Sequence, residues 1–225
     1  MKKFVVFVVI LLLLHLPVLN PTDDALLTFQ FLAQGSHLDA YSGEKMLIPY
    51  NLLFNIAMSV LFISRIFSRL SEIFNLRAYV ITRGGSTTFK WVLIKKALWE
   101  SAKILLAKLL IYALYFIMEQ RGTWFILYDL VSTFLTLSMF SFVFILCKLN
   151  GANNKIPLFM LTAGNMIAQI FSFEFGVFSV IVIASIYWQN SPFVVIAVKI
   201  LILLLLTFLV FFKKNVDQML EVKNQ

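Results

Sequence analysis

Residues 65–96, RIFSRLSEIFNLRAYVITRGGSTTFKWVLIKK, are the stretch on which the reading of this chain turns. They carry seven Lys or Arg (Arg65, Arg69, Arg77, Arg83, Lys90, Lys95, Lys96) against one acid, Glu72. Apolar runs flank them on both sides. A segment this basic resists translocation, so between two membrane spans it stays on the cytoplasmic side. It is also patterned. Leu70, Ile73, Phe74, Arg77 and Ala78 fall at i, i+3, i+4, i+7 and i+8, the spacing of one helix face. Gly84 and Gly85 are expected to break that helix, and Ser86 to Thr88 supply caps for the next. Phe89, Trp91, Val92 and Ile94 beside Lys90, Lys95 and Lys96 predict an interfacial amphipathic helix that rests on lipid.

Composition extends the same reading outward. The 225 residues are 61% hydrophobic and 13% charged, with 24 phenylalanines. A soluble domain carries about 25% charged residues, so that class is excluded. A net charge of +8 could serve nucleic acid in a soluble protein. Here the basic residues flank apolar runs and no soluble basic domain exists, so no nucleic-acid partner is expected. The single cysteine, Cys147, lies in an apolar run and has no intrachain partner.

The apolar runs predict an all-α polytopic membrane protein with six spans, at about 4–19, 49–67, 98–118, 124–147, 156–171 and 192–212. The whole chain, 1–225, is read as one membrane domain. The first run could be a secretory signal, but no small-x-small cleavage pattern follows Leu19, so a retained helix is expected. Residues 20–48, with Asp23, Asp24, Asp39 and Glu44, form an outside loop; residues 65–97 form the cytoplasmic segment. Fourteen Lys or Arg then lie inside against two outside, Lys45 and Arg121. Both termini are thereby placed in the cytoplasm.

Residues 156–188 are apolar for longer than one span needs and too short for two. A helix followed by a re-entrant segment, 172–190, satisfies the charge pattern, with Ser172, Glu174 and Gly176 at the bend. Irregular backbone at that depth must be covered by protein or wetted.

The run Tyr79-Val-Ile-Thr-Arg83-Gly-Gly-Ser86-Thr-Thr-Phe89-Lys-Trp91, between a second and a third span, resembles a pattern in type-2 (exporter-like) ABC transporter permease subunits. These are the small bacterial kind linked to bacteriocin or antimicrobial-peptide export and immunity. The resemblance implies a cytoplasmic coupling helix, a multi-pass subunit in the bacterial cell membrane, and a second permease copy or paralogue. It also implies a separate cytoplasmic ABC ATPase. In agreement, the chain lacks the Gly-x-x-x-x-Gly-Lys-Ser/Thr phosphate loop needed to hydrolyse ATP itself. Ser71, Glu72, Asn75, Arg77 and Arg83 are the expected ATPase-coupling residues. The substrate would be a peptide or amphipathic molecule. The competing readings are a non-transporting immunity or accessory protein and a secondary transporter; the latter lacks an evident internal repeat.

Ionisable residues inside spans are functional candidates by default. Asp129 and Lys199 lie at similar depth in the fourth and last spans, which predicts an ion pair between them. Glu100 and Lys103 are helical neighbours. Lys108 is deeper and is expected to line a cavity; Glu174 is expected at an outer gate. His15 and His37 are isolated, so no metal is expected. No Ser/His/Asp or Cys/His set is present, so neither a cofactor nor enzymatic activity is expected of this chain.

Overall fold

A computed structural model describes residues 2–15, 37–38, 45–46, 49–119, 125–172, 175–183 and 192–213. These residues form six α-helices: α1 (Lys2–His15), α2 (Pro49–Asn75), α3 (Arg77–Glu119), α4 (Phe125–Leu149), α5 (Lys155–Phe171) and α6 (Pro192–Phe212). A 3₁₀ turn, Gly176–Val180, precedes α6. The two-residue strands β1 (His37–Leu38) and β2 (Lys45–Met46) pair antiparallel and are too short to form a layer. The expected all-helical class therefore holds. The rest of the outside loop and Glu174 lie outside the described residues.

The central helix is α4, which packs against α2, α3, α5 and α6. Neighbours on several sides cover it: the span Leu127–Leu149 is 72% buried, its small polar residues included. Its end is set by Gly151, whose φ of +83° is costly for other residues. Ala152 N–H donates to the Cys147 carbonyl and Gly151 N–H to that of Lys148, which closes the last turn in a Schellman motif.

Among the described residues, two helices, Leu127–Leu149 and Phe193–Phe212, are long and apolar enough to cross a membrane; Phe4–Leu13 and Lys155–Phe171 are shorter apolar helices.

Burial runs against the rule for water-soluble helices. On α5 the buried residues are Pro157, Asn165, Ala168 and Gln169. Ile156, Phe159, Met160, Ile167 and Ile170 are exposed on the same helix. Only 17% of the α6 span is buried, yet Lys199 on that helix is 0% exposed. Gln169 Nε2 donates to Ser59 Oγ of α2 at 3.1 Å, so polar side chains join helices inside while apolar ones face out.

The basic segment departs in two places from its expected form. With 27 residues, α2 is about 40 Å long, more than the roughly 30 Å of a hydrocarbon core. It continues past its apolar part to Asn75 and turns at Leu76, so the helix face expected across residues 70–78 stops at Phe74. Leu70 is fully buried and Ile73 and Phe74 pack on the core, whereas Ala78 is exposed. A local apolar period cannot register a turn whose two sides are both helical.

The second departure is in the capping at the break, which itself lies where the sequence predicts it. The break falls at Gly85, with φ +77° and ψ 171°, a combination open essentially to glycine alone. The expected capping by Ser86 to Thr88 is not the arrangement found for Thr88. Its Oγ1 donates across the break to the Gly84 carbonyl instead of accepting from an N–H.

Candidate functional site

Two groups of residues stand out once the helices are in place: the exposed tip of the basic segment and a polar network inside the bundle.

The tip is fastened by aromatic rings. Phe67 stacks on Phe144 at 4.1 Å, and Phe74 meets Phe89 and Phe144 edge-on at 5.7 and 6.4 Å. These contacts tie α2 and α3 to α4 and leave the opposite face free. Glu72 is exposed and pairs with Arg69 at 2.8 Å. Asn75 is exposed, while Ser71 and Arg77 are half-buried. Arg83 lies over the Tyr79 ring at 4.3 Å. Leu76 and Tyr79, which sequence reasoning did not single out, are 58% and 55% exposed. They extend the same surface with apolar area.

Lys90 is not an interfacial anchor. Its Nζ donates to the carbonyls of Phe211 and Lys213 at 2.9 and 2.6 Å and so caps the end of α6. Trp91 packs edge-on against Phe211 beside it, with centroids 4.9 Å apart. The last carbonyls of a helix have no partners within it and carry partial negative charge, so an ammonium there is favourable on both counts.

Inside the bundle, α3 and α4 are joined by charge. Lys108 Nζ donates to Asp129 Oδ1 at 2.7 Å and to Thr133 Oγ1 at 3.2 Å. Tyr112 donates its hydroxyl to the other oxygen, Asp129 Oδ2. The expected Asp129–Lys199 pair is therefore corrected: Asp129 belongs to Lys108, and Lys108 is an ion-pair partner within packed helices. Both lysines lie at a depth that would reach Asp129, but only α3 turns its lysine toward the carboxylate.

Lys199 takes a different set of acceptors. Its Nζ donates to Ser132 Oγ and Thr136 Oγ1, both at 2.7 Å, and to the Val182 carbonyl at 3.0 Å. An ammonium has three donors, and all three are used. None of these acceptors is a carboxylate. Asp129 and Lys108 act on it electrostatically from further off, and hydroxyl and carbonyl dipoles stabilise the charge locally.

This arrangement also accounts for the irregular segment before α6. Val182 and Ile183 are buried but outside any helix, so their carbonyls need partners. Thr136 Oγ1 lies 3.2 Å from the Val182 oxygen. Ser132 and Thr133 make longer contacts, 3.5 and 3.4 Å, to that of Ile183. Named groups on α4 and α6 thus cover the carbonyls of Val182 and Ile183, whereas residues 173–174 and 184–190 of the expected re-entrant segment lie outside the described residues.

No protein-family model matches the chain, nor does any curated protein or solved structure. Function has to be argued from the arrangement itself.

The network could have been read in part from spacing. Asp129, Ser132, Thr133 and Thr136 stand at i, i+3, i+4 and i+7, one face of a helix, in a segment otherwise apolar. Tyr112, four residues after Lys108, belongs to the same signal. Near the middle of α3, the predicted Glu100–Lys103 contact is present at 2.7 Å, and Lys96 approaches the same carboxylate at 3.3 Å.

Proposed function

We propose that this protein is a six-span membrane subunit with both termini in the cytoplasm, and that it moves a peptide or amphipathic substrate with energy from a separate ATPase. The inverted burial of α5 and α6 supports the membrane placement. Water would disfavour an exposed Phe159 and Leu201 above a buried Asn165 and Lys199, whereas lipid favours it. The charge bias of the flanking segments supports the orientation.

One observation carries the coupling role. The tip formed by the end of α2 and residues 77–84 is held rigidly to the bundle by Phe67, Phe74, Phe89 and Phe144. Its outer face presents Glu72, Asn75, Leu76, Tyr79 and Arg83. A surface that must receive mechanical work from a partner needs both properties: firm attachment beneath and mixed polar and apolar area above. Strong hot spots at interfaces are typically aromatic residues and arginine, as Tyr79 and Arg83 are.

The test is co-purification from the native host in mild detergent, with ATP hydrolysis measured on the isolated complex. An ATPase should be recovered with the wild type and lost from a Tyr79→Ala/Arg83→Ala variant that retains its helical content. Recovery of the chain free of any ATPase, with its biological effect unchanged in that variant, would refute the transport reading. It would favour a non-transporting immunity or accessory protein instead.

A further inference from the structure

An open groove of about 670 Å³ runs along α3, lined by Val92, Lys95, Lys96, Leu98, Trp99 and Ala102 of that helix and by Phe134 of α4. Its size is in the range of small-molecule sites, roughly 300–1,000 Å³. The lining is almost wholly apolar, and Lys95 and Lys96 bring the cations that border it; Val92 lies a turn before them along α3, and Leu98, Trp99, Ala102 and Phe134 continue the apolar trough beyond.

Distance along the helix gives this arrangement a meaning. Ala102 lies seven residues past Lys95, about 10 Å deeper along α3. Lys95 and Lys96 immediately precede the apolar part of the helix, the level of phosphate headgroups on the cytoplasmic side. Trp99, 56% exposed, sits where an indole favours the interface. Lys103 approaches the Trp99 ring at 5.6 Å and steadies that wall. The buried Glu100 carboxylate engages Lys96 and Lys103, so the three lysines around the groove outnumber the acid by two.

We propose that this groove binds one anionic phospholipid of the cytoplasmic leaflet, its phosphate at Lys95 and Lys96 and an acyl chain along Leu98, Trp99, Ala102 and Phe134. Charge complementarity selects this occupant: two lysines bordering an apolar trough match a negative head joined to a hydrocarbon tail. Basic pockets beside membrane helices on the cytoplasmic side recognise such headgroups. The inference rests on the membrane placement proposed above and is independent of the ATPase.

The experiment reconstitutes the full chain with equal phosphatidylglycerol and phosphatidylethanolamine, then counts retained lipids by native mass spectrometry after mild detergent exchange. The wild type should retain phosphatidylglycerol over phosphatidylethanolamine by at least about tenfold. A free surface lysine contributes about fivefold, and Lys96 already engages Glu100, so Lys95→Gln/Lys96→Gln should lose between about fivefold and about 25-fold. Ala102→Trp, which fills the trough and keeps the lysines, should also abolish retention. Lys155→Gln, which removes an exposed charge elsewhere on the cytoplasmic side, should leave it unchanged.

Equal retention of the two lipids would overturn the proposal, as would equal losses in Lys155→Gln and Lys95→Gln/Lys96→Gln. Displacement by millimolar inorganic phosphate would assign the lysines to a free anion and overturn it too. A disulfide-linked dimer from Ala102→Cys in a Cys147→Ser background would make the groove an interface between two copies. Release of the wild type from membranes by alkaline carbonate would instead refute the membrane placement, which separates the two failures.

Discussion

Replacing Asp129 by leucine removes the one carboxylate that holds Lys108 and Tyr112 in the bundle. Lys108 and Asp129 are each 4% exposed at the side chain and their atoms are in direct contact, so water cannot take over from the lost partner. After the substitution the ammonium keeps only Thr133, and the Tyr112 hydroxyl loses its acceptor. Breaking a buried pair from one side costs about 3–5 kcal/mol. The double variant Lys108→Met/Asp129→Leu leaves no orphaned charge and should return to within about 1 kcal/mol of wild type, since apolar residues of similar volume often replace a buried pair without loss. The assay is equilibrium unfolding in mixed micelles, followed by tryptophan fluorescence, for the two single variants and the double. The coupling between positions 108 and 129 should be at least about 2 kcal/mol. The same cycle for Asp129→Leu with Lys199→Met should give a smaller coupling, because Lys199 bonds to Ser132, Thr136 and Val182. A larger coupling for 129 with 199 than with 108 would refute the assignment.

Lys199→Met should release the segment before α6. Hydrogen exchange of residues 176–183 should rise at least tenfold while the amides of α2 are unchanged; equal protection in both proteins would show that the lysine does not hold the segment. Lys90→Gln loses a charge-assisted cap on α6 and should lower stability by about 1–2 kcal/mol, read as a lower thermal midpoint, with Lys90→Arg recovering part of it. A Cβ at position 85 would meet no atom within 4 Å, so Gly85→Ala tests backbone strain alone. It should destabilise by about 1–3 kcal/mol, and a neutral result in the same melts would mean that the break is not held in this conformation.

Much of this protein is local physics. Hydropathy and length placed the helices, because a segment of apolar residues buries or immerses itself whatever its neighbours are. The break in the basic stretch was legible at Gly84 and Gly85, since a backbone with positive φ selects glycine without reference to the rest of the chain. The need to cover irregular backbone such as Val182 and Ile183 before the last helix was legible too, because unpaired carbonyls carry the same penalty in any fold. The turn at Leu76 was not, as both of its flanks are helical and apolar periodicity runs through it.

Partnership was decided by tertiary structure. Asp129 had two lysines within reach by depth, 21 residues before it in Lys108 and 70 after it in Lys199. Depth is a property of one helix and can be counted along it. Which lysine meets the carboxylate depends on how each helix is rotated about its own axis, and that rotation is set by packing against α4. Lys90 makes the same point at the end of α6. As a sequence position it is one more cation in a basic segment; only the place where α6 ends in space turns it into the cap on that helix.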